Sequence, residues 1–420
     1  MSQLTDENAI NGFYGLGIAP GLLEILARLR YTTPTPIQHH AIPPAMEGKD
    51  VVGVAQTGTG KTLAFGIPML QILAREKGGK GLILLPTREL ALQVEEELHK
   101  IGRPLGLKTA VLIGGISMRP QLQSIARNPH IIIATPGRLI DHLEQKTVLL
   151  DSVKILVLDE ADRMLDMGFE PQIRKIFSHL PKSRQTMLFS ATIPPEIMAI
   201  ASRYMKLPVR IEVALSGTTA EKVSQEIFIV RREAKLGLLR SILRQYNGST
   251  LVFTRTKYGA KKVTRAVCDM GHRAAEIHGN RTLVQRRDAL DGFKSGKYRV
   301  LVATDIASRG IDVRGIELVL NFDLPSKTED YVHRIGRTGR AGAEGHAISF
   351  ALPEEHHEIR SIERLIRQTI RVSLPPGASP MDAVPSVIGP YAEAARKRGR
   401  GSGPRPSFSR GYHRRPRSRR

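Results

Sequence analysis

Short apolar runs alternate with helix-like stretches along most of this 420-residue chain. Six runs occupy residues 51–54, 82–85, 110–113, 131–134, 155–158 and 187–189. Each run is followed by a small, polar or charged cluster, and helix-like stretches such as 89–101 and 170–180 lie between the runs. This alternation is typical of an open, mostly parallel sheet covered by helices on both faces. It predicts an α/β fold.

The alternation stops near residues 213–223 and then resumes, with further apolar runs at 251–254, 274–277, 300–303 and 318–321. We therefore expect a first domain over 1–212, a linker over 213–223 and a second domain over 224–372. A linker of about ten residues reaches at most ~35 Å. The two domains must stay adjacent, with a cleft between them.

The last segment, 373–420, begins with Pro, Gly and Ser residues and becomes strongly basic. From Tyr391 onward it contains eleven Lys or Arg residues and one acidic residue, Glu393, so its charge is 11 − 1 = +10. With almost no β-branched residues it buries too little apolar surface to offset its ordering entropy. We expect a basic disordered tail.

The whole chain is also basic, with 63 Lys and Arg against 40 Asp and Glu, a net charge of +23. This charge favours a polyanionic partner but does not separate RNA, DNA and anionic membrane. The chain contains no apolar run of the ~18 to 20 residues that span a bilayer and does not begin like a signal peptide. The single cysteine, Cys268, is expected to be a small buried hydrophobe. These features predict a cytoplasmic protein in a reducing compartment.

The sharpest motif is AQTGTGKT at residues 55–62, between a strand pattern and a helix pattern. Such a loop wraps backbone N–H groups around phosphates, while Lys61 reaches the outer phosphates and the Thr62 hydroxyl contacts Mg²⁺. Ala55 stands where the general pattern has its first Gly. The alternative interpretation is a Gly-rich turn with an unrelated lysine.

A second motif, Asp-Glu-Ala-Asp at 159–162, directly follows the apolar run 155–158. Asp159 is placed to hold Mg²⁺ through water, and Glu160 to orient or deprotonate an attacking water. An isolated acidic cluster would be a solvated turn. Together with the GKT loop upstream, it predicts a nucleotide hydrolase.

The second domain contains HRIGRTGR at 333–340 but no GKT loop. Its arginines could form a solvated face, but the interleaved glycines argue against an ordinary exposed helix. Phosphoryl transfer is accelerated by cations from a second surface. Arg337 and Arg340 are therefore our candidate arginine fingers for one ATP bound in the cleft.

Eight motifs in order identify a family resemblance: AQTGTGKT, PTREL (86–90), Gly114-Gly115, TPGR (135–138), DEAD, SAT (190–192), ATDIASRGID (303–312) and HRIGRTGR. Over about residues 13–350 the chain resembles the DEAD-box RNA helicases. Phrases such as LVFTRTKYGA and IHGN, with the short basic tail, resemble the bacterial RhlE subgroup. The resemblance implies two RecA-like domains in tandem.

The resemblance also implies roles for residues around the nucleotide. An adenine-selecting segment spans about 13–39, where Phe13 and Gln38 match the selecting aromatic and glutamine. Arg30 stands where the family usually has Gly before the aromatic, Tyr31. The residues expected to bind ATP are Phe13, Tyr31, Gln38, Ala55, Gln56, Thr57, Gly58, Thr59, Gly60, Lys61, Thr62 and Asp312. Those expected to couple hydrolysis to strand separation are Ser190, Ala191, Thr192, Asp162 and His333.

RNA contacts follow from the same matching: Arg88, Gly115, Thr135, Gly137 and Arg138 in the first domain, and Thr254, Arg286 and Thr304 in the second. Such groups grip phosphates and sugars without reading bases. A glutamine that the family often has three residues before the matching arginine is Leu283 here. Taken singly, each glycine would be only a tight turn.

The sequence thus predicts an ATP- and Mg²⁺-dependent enzyme that binds single-stranded RNA and separates short duplexes, with ribosomal precursors or an RNA-decay complex as possible settings. A DNA translocase is one alternative, which the 2′-hydroxyl would decide. An ATP-gated RNA clamp or annealing module is another. We expect the tail to tether RNA, against the alternative of a solvated tail for solubility or a protein partner.

Overall fold

The computed structural model describes residues 12–55, 58–76, 78–213, 223–305, 313, 315–339 and 345–373. All of them belong to one compact unit. The tail and the site residues Gln56, Thr57, Asp312 and Arg340 lie outside the described residues. Two sheets organise the remainder, one in residues 12–213 (the first lobe) and one in residues 223–373 (the second lobe).

The elements of the first lobe alternate as its sequence pattern predicts. In chain order they are α1 (Pro20–Arg28), α2 (Pro36–Met46), β1 (Val51–Val54), α3 (Lys61–Arg75), β2 (Lys80–Leu84), α4 (Arg88–Gly102), β3 (Thr109–Leu112), α5 (Met118–Ala126), β4 (Ile131–Ala134), α6 (Pro136–Glu144), β5 (Val153–Leu158), α7 (Ala161–Asp166), α8 (Glu170–Ser178), β6 (Gln185–Ser190), α9 (Pro195–Tyr204) and β7 (Val209–Glu212).

The second lobe repeats the alternation. Its elements are β8 (Val223–Ile229), α10 (Lys235–Gln245), β9 (Thr250–Phe253), α11 (Lys257–Asp269), β10 (Ala274–Ile277), α12 (Leu283–Lys294), β11 (Val300–Ala303), β12 (Leu318–Asn321), α13 (Thr328–Ile335), β13 (Gly345–Ala351), α14 (His356–Ile366) and β14 (Arg371–Ser373).

Each sheet has seven strands, in the order β3-β4-β2-β5-β6-β1-β7 and β10-β11-β9-β12-β13-β8-β14. The strand pairs are parallel throughout. Separate apolar cores cover the two faces of the first sheet, and three cover the second. Two parallel-sheet α/β lobes in tandem confirm the predicted fold class. Parallel strands bring their carboxyl ends to one edge, where such sheets bind ligands.

All ten runs predicted as strands are strands, within about two residues at each end. The pattern missed β7, β8, β13 and β14. β7 and β14 are edge strands with charged residues, Val209–Glu212 reading VRIE and Arg371–Ser373 reading RVS. An edge strand needs only one buried face, so its sequence lacks a continuous apolar run.

Cys268 is exposed, so its predicted burial was wrong. Helix α11 buries Ala260, Val263 and Val267, which share one face at helical spacing. Cys268 follows Val267 by one residue and is rotated about 100° away from that face. No helix among the described residues is long and apolar enough to cross a membrane.

The turn that follows helix α1 contains the residue that departs from the family pattern. Arg30 has φ = 63°, in the left-handed region. Its N–H donates to Ala27 O at 2.9 Å, and the Tyr31 N–H donates to Leu26 O at 2.9 Å. These two bonds form a Schellman cap, whose left-handed position favours Gly. The cap explains in physical terms why Gly is usual here.

We predict that Arg30→Gly stabilises this helix end. A left-handed conformation destabilises a residue that has a Cβ by about 1–2 kcal/mol. Gly avoids this strain, but the conformational entropy that Gly loses on folding offsets about half of the gain. Hydrogen exchange of the α1 amides should therefore slow about two- to fivefold. Arg30→Ala is the matched control, since it keeps the Cβ. Equal slowing in both variants would contradict the strain at this position.

Candidate functional site

The loop after β1 closes against the first sheet. Ala55 is buried, and its N–H donates to Ser190 O at 2.9 Å. Gly58 and Gly60 have φ = 86° and 90°, a conformation that L side chains rarely adopt. A Cβ on Gly60 would lie 2.3 Å from Gln38 Nε2. Glycine is therefore required at residue 60, because the loop passes directly over a buried side chain.

Gln38 fastens this loop to α2. Its Oε1 accepts the Thr35 N–H at 2.9 Å, and its Nε2 donates to Gly60 O at 2.9 Å. One amide hydrogen and one oxygen lone pair remain for a base edge. Phe13 is 1% exposed within the first core, and the Tyr31 hydroxyl donates to Glu97 Oε1 at 3.4 Å. Adenine contacts by these three residues stay a prediction.

Lys61 begins α3 and is buried beside the DEAD turn. Its Nζ lies 3.8 Å from Asp159 Oδ1 and has no hydrogen-bond partner within the described residues. A buried ammonium without hydrogen bonds is costly. Phosphate oxygens would satisfy it, so Lys61 fits a nucleotide on this loop.

The DEAD residues follow β5 at the same sheet edge. Burial raises the pKa of Asp159 to about 6, with Lys61 opposing and Glu160 adding to the rise. A cation close to this carboxylate would offset that cost, which fits Mg²⁺ held by Asp159 and the Thr62 hydroxyl. No cluster of three or more His, Cys, Asp or Glu ligands occurs in the described part of the chain.

Glu160 stands at the N-cap of α7 with φ = 52° and is 3% exposed. Its Oε2 accepts a hydrogen bond from Arg163 Nη1 at 2.8 Å. A left-handed non-glycine residue costs of order 1–2 kcal/mol, and such strain concentrates at functional sites. The turn and Arg163 together hold the carboxylate in one orientation.

Asp162 joins the DEAD turn to the SAT segment. Its Oδ2 accepts hydrogen bonds from Ala191 N at 3.1 Å, Thr192 N at 2.9 Å and Thr192 Oγ1 at 2.9 Å. Its own N–H donates to Ser190 Oγ at 3.2 Å. The structure therefore brings four of the five predicted coupling residues into direct contact.

The fifth coupling residue, His333, arrives from α13 of the second lobe. Burial is the largest cause that lowers its pKa, Arg163 and Arg337 add to the lowering, and Asp162 and Glu160 oppose it. Together these effects bring the pKa of His333 to about 4. His333 and Arg337 line one small polar cavity with Arg163. Arg337 is 3% exposed, and its Nε donates to His333 O at 3.3 Å. His333 and Arg337 of the second lobe thus lie close to Glu160 and Asp162 of the first.

Two arginines of this cavity were missed by the sequence reasoning. Arg334 holds Asp305 through two hydrogen bonds of 2.5 and 2.7 Å, and it also donates to Asn321 Oδ1 at 3.0 Å. Arg163, the first residue after the DEAD motif, pairs with Glu160. Its position one turn from Glu160 was the available signal. Arg334 belongs to the HRIGRTGR motif, in which only Arg337 and Arg340 among the arginines were assigned a role.

The predicted RNA residues lie at the carboxyl edges of both sheets. In the first lobe Arg88 begins α4 and lies against Gly115, where a Cβ would be 1.9 Å from Arg88 Nη1. Thr135 caps α6, and Arg138 in that helix donates to Ile116 O at 3.1 Å. Gly137 has open space where a Cβ would be.

In the second lobe Thr254 follows β9 and Thr304 follows β11. The Thr254 N–H donates to Ala303 O at 2.9 Å, and the Thr304 N–H to Ile277 O at 3.2 Å. These bonds continue the sheet ladder, so the two threonines lie side by side.

Arg286 reaches across to the first lobe, where its Nη1 lies 2.9 Å from Glu89 Oε1. Burial lowers the pKa of Arg88, with Arg286 and Arg138 adding to the effect and Glu89 opposing it. Asp141 pairs with Arg138 at 3.1 Å, so three arginines and two carboxylates leave one excess positive charge, which suits a phosphate.

Two further contacts join the lobes. Lys327 Nζ lies 2.6 Å from Asp166 Oδ1. Leu283, at the position where the family often has Gln, packs against the first-lobe core. The departure noted in the sequence therefore supplies an apolar contact between the lobes.

Comparison with known proteins agrees with this geometry. The model of the DEAD/DEAH box helicase family matches residues 35–200, and that of the helicase conserved C-terminal domain matches residues 234–342. The ATP-dependent RNA helicase DbpA of Bacillus subtilis is 44% identical over 356 residues, covering 84% of this chain and 74% of that protein.

Solved structures show the same fold. S. cerevisiae Dbp5 bound to RNA and ADP BeF3 is 29% identical with a TM-score of 0.78, covering 92% of this chain and 98% of that one. A DEAD box protein from Methanococcus jannaschii is 37% identical with a TM-score of 0.53, covering 86% of this chain and 99% of that one. The chain therefore belongs to the DEAD-box family of ATP-dependent RNA helicases, which are RNA-stimulated ATPases.

Proposed function

We propose that this enzyme closes its two lobes on ATP and single-stranded RNA, hydrolyses the ATP between them, and separates short duplexes without reading their sequence. The observation that carries the proposal is the juxtaposition of Glu160 and Asp162 in the first lobe with His333 and Arg337 of the second. The first lobe provides the carboxylates and Lys61, and the second lobe adds Arg337.

The arrangement of the lobes supports this cycle. A TM-score of 0.78 over 92% of the chain requires both lobes to superpose at once on the RNA-bound and nucleotide-bound Dbp5. The lower score of 0.53 with the M. jannaschii protein, despite higher identity, indicates a different relative position of the lobes. We infer that the present arrangement is the closed form.

We assign roles as follows. Lys61 holds the outer phosphates, Glu160 orients or deprotonates the attacking water, and Arg337 with Arg340 stabilises the charge of the transition state. Mg²⁺, held by Thr62 and Asp159, would neutralise charge on the phosphates. Asp312 would lie near the ribose, and residues 55–62 with Gln38, Phe13 and Tyr31 would hold the remainder of the nucleotide.

RNA would cross the carboxyl edges of both sheets. It would pass Arg88, Gly115 and residues 135–138 in the first lobe, then Thr254, Thr304 and Arg286 in the second. Closing brings Arg286 to Glu89, so the two halves of this path meet at a cluster of arginines. Closing would bend the RNA strand while the enzyme holds its backbone. A strand bent in this way cannot remain paired in a duplex.

The finer assignments are part of the same proposal. The two domains would be residues 1–212 and 224–372, joined by a linker at 213–223. Residues 373–420 would form a basic tail that tethers RNA. The chain would belong to the RhlE-like subgroup and act in the cytoplasm, in ribosome assembly or RNA decay. Comparing duplex unwinding with strand annealing would distinguish a helicase from an ATP-gated clamp.

We predict opposite phenotypes for two substitutions in the ATP site. Lys61→Ala should abolish binding of a fluorescent ATP analogue, because it removes the buried phosphate cation. Glu160→Gln should keep binding and slow phosphate release at saturating RNA by about 10²-fold or more. The exposed Asp151→Asn removes a first-lobe carboxylate far from the motifs and should change neither. Turnover near the wild-type rate in Glu160→Gln would reject its role.

We also predict that acid weakens closure through His333. Its pKa is about 4 when the lobes enclose it and 6.5 in water, so the closed form binds fewer protons and loses stability as pH falls between these values. From pH 7 to 5.5, RNA affinity with a non-hydrolysable ATP analogue should fall roughly eightfold.

His333→Gln is the control for this measurement, because it removes the titrating group. Any pH dependence that comes from Asp159, with its pKa of about 6, should persist in the variant. An unchanged pH profile in His333→Gln would show that His333 does not titrate on closing.

A further inference from the structure

A cavity of about 240 Å³ opens on the second lobe between α11 and the end of β10. The side chains of Lys257, Tyr258, Lys261 and Arg281 form its rim, and Glu276 and His278 form its floor. None of these residues matches an ATP or RNA motif position. We call it the Tyr258 cavity.

The cavity continues the proposed RNA path. In the second sheet the neighbouring strands run β9, β11, β10. Thr254 follows β9, Thr304 follows β11, and His278 follows β10. The Thr304 N–H donates to Ile277 O, the residue before His278. Strands lie about 4.8 Å apart, so the cavity is the next position along the same edge.

The rim offers cations and one exposed aromatic ring. Lys257 and Lys261 are one turn apart on α11 and both are exposed. Tyr258 is 76% exposed, with Lys257 Nζ 5.8 Å from its ring centroid. Lys257 Nζ also donates to Asn280 Oδ1 at 3.1 Å. An aromatic face among lysines is how proteins bind single-stranded nucleic acid without sequence preference.

The floor is a built polar site. Glu276 and His278 are 8% and 6% exposed. The Asn280 N–H donates to His278 Nδ1. His278 Nε2 lies 3.5 Å from Glu276 Oε1 and has no hydrogen-bond partner among the described residues. Arg281 pairs with the same carboxylate. Three cations against one carboxylate leave the cavity at +2, which favours an anion over a cation.

We propose that the Tyr258 cavity is an additional RNA subsite, in which one nucleotide beyond the Thr254 and Thr304 contacts stacks its base on Tyr258 and places its phosphate between Lys257 and Lys261. This subsite rests on the proposed RNA path. It lengthens the footprint of the second lobe without adding base recognition, because stacking accepts every base.

The test compares binding of short and long oligouridylates, on the order of six and twelve nucleotides, with a non-hydrolysable ATP analogue present. Tyr258→Ala and Lys261→Ala should weaken the long RNA about tenfold and leave the short RNA unchanged. Lys262→Ala is the matched control, since this exposed neighbour has the same charge but does not line the cavity. Lys261→Ala should also flatten the salt slope by ~0.7 relative to Lys262→Ala.

A long RNA with 2-aminopurine at successive positions provides a second readout. One position should be quenched in the wild type and in Tyr258→Phe but not in Tyr258→Ala. Equal affinities of all variants for the long RNA, or equal loss for both lengths, would overturn the subsite. A wild type that binds neither RNA would instead reject the proposed function. If an acidic peptide, but not long RNA, depends on Tyr258 and Lys261, the cavity binds protein and the proposal is wrong.

Discussion

At the contact between the lobes, charged side chains are buried only where they have charged partners. Burial of a single charge is costly, and removing one partner of a buried pair costs more than the pair contributes. Here Glu160 pairs with Arg163 at 2.8 Å, and both lie against His333 from the second lobe. Burial lowers the pKa of this ring, which favours its neutral form. The proposed ATP site is therefore complete only when the lobes are together.

The hydrogen bonds of Asp162 connect that contact to the rest of the first lobe. One carboxylate oxygen accepts three hydrogen bonds from Ala191 and Thr192, and the Asp162 backbone binds Ser190 at the end of β6. The loop after β1 binds the same Ser190 through Ala55. The residues around β1, the DEAD turn and the SAT segment are therefore linked by hydrogen bonds. These bonds would carry the coupling that we propose between the nucleotide and the RNA-facing edge.

The sequence predicted most of this arrangement because buried parallel strands produce continuous apolar runs. The motifs directly follow those runs, so they lie at the carboxyl ends of the strands. It identified the sheet, the loop and the acidic turn for this reason. It did not find Arg163, although its spacing from Glu160 was a signal, or Lys327, whose partner Asp166 lies in the other lobe. The predicted burial of Cys268 was wrong because neighbouring residues of a helix point in different directions, so Val267 is buried and Cys268 is exposed. Arg30 and Leu283 depart from the family pattern in the sequence. The left-handed backbone explains why Gly is usual in place of Arg30, and Leu283 makes an apolar contact between the lobes.

The most direct test of the account is whether ATP and RNA are needed together to close the lobes. A fluorophore pair can use the exposed Cys268 in the second lobe with a cysteine introduced at Ser178 or Gln123 of the first, so that a rotation alters at least one distance. Single-molecule energy transfer should show one compact population only when a non-hydrolysable ATP analogue and single-stranded RNA are both present. The same population with either ligand alone, or with neither, would contradict the account.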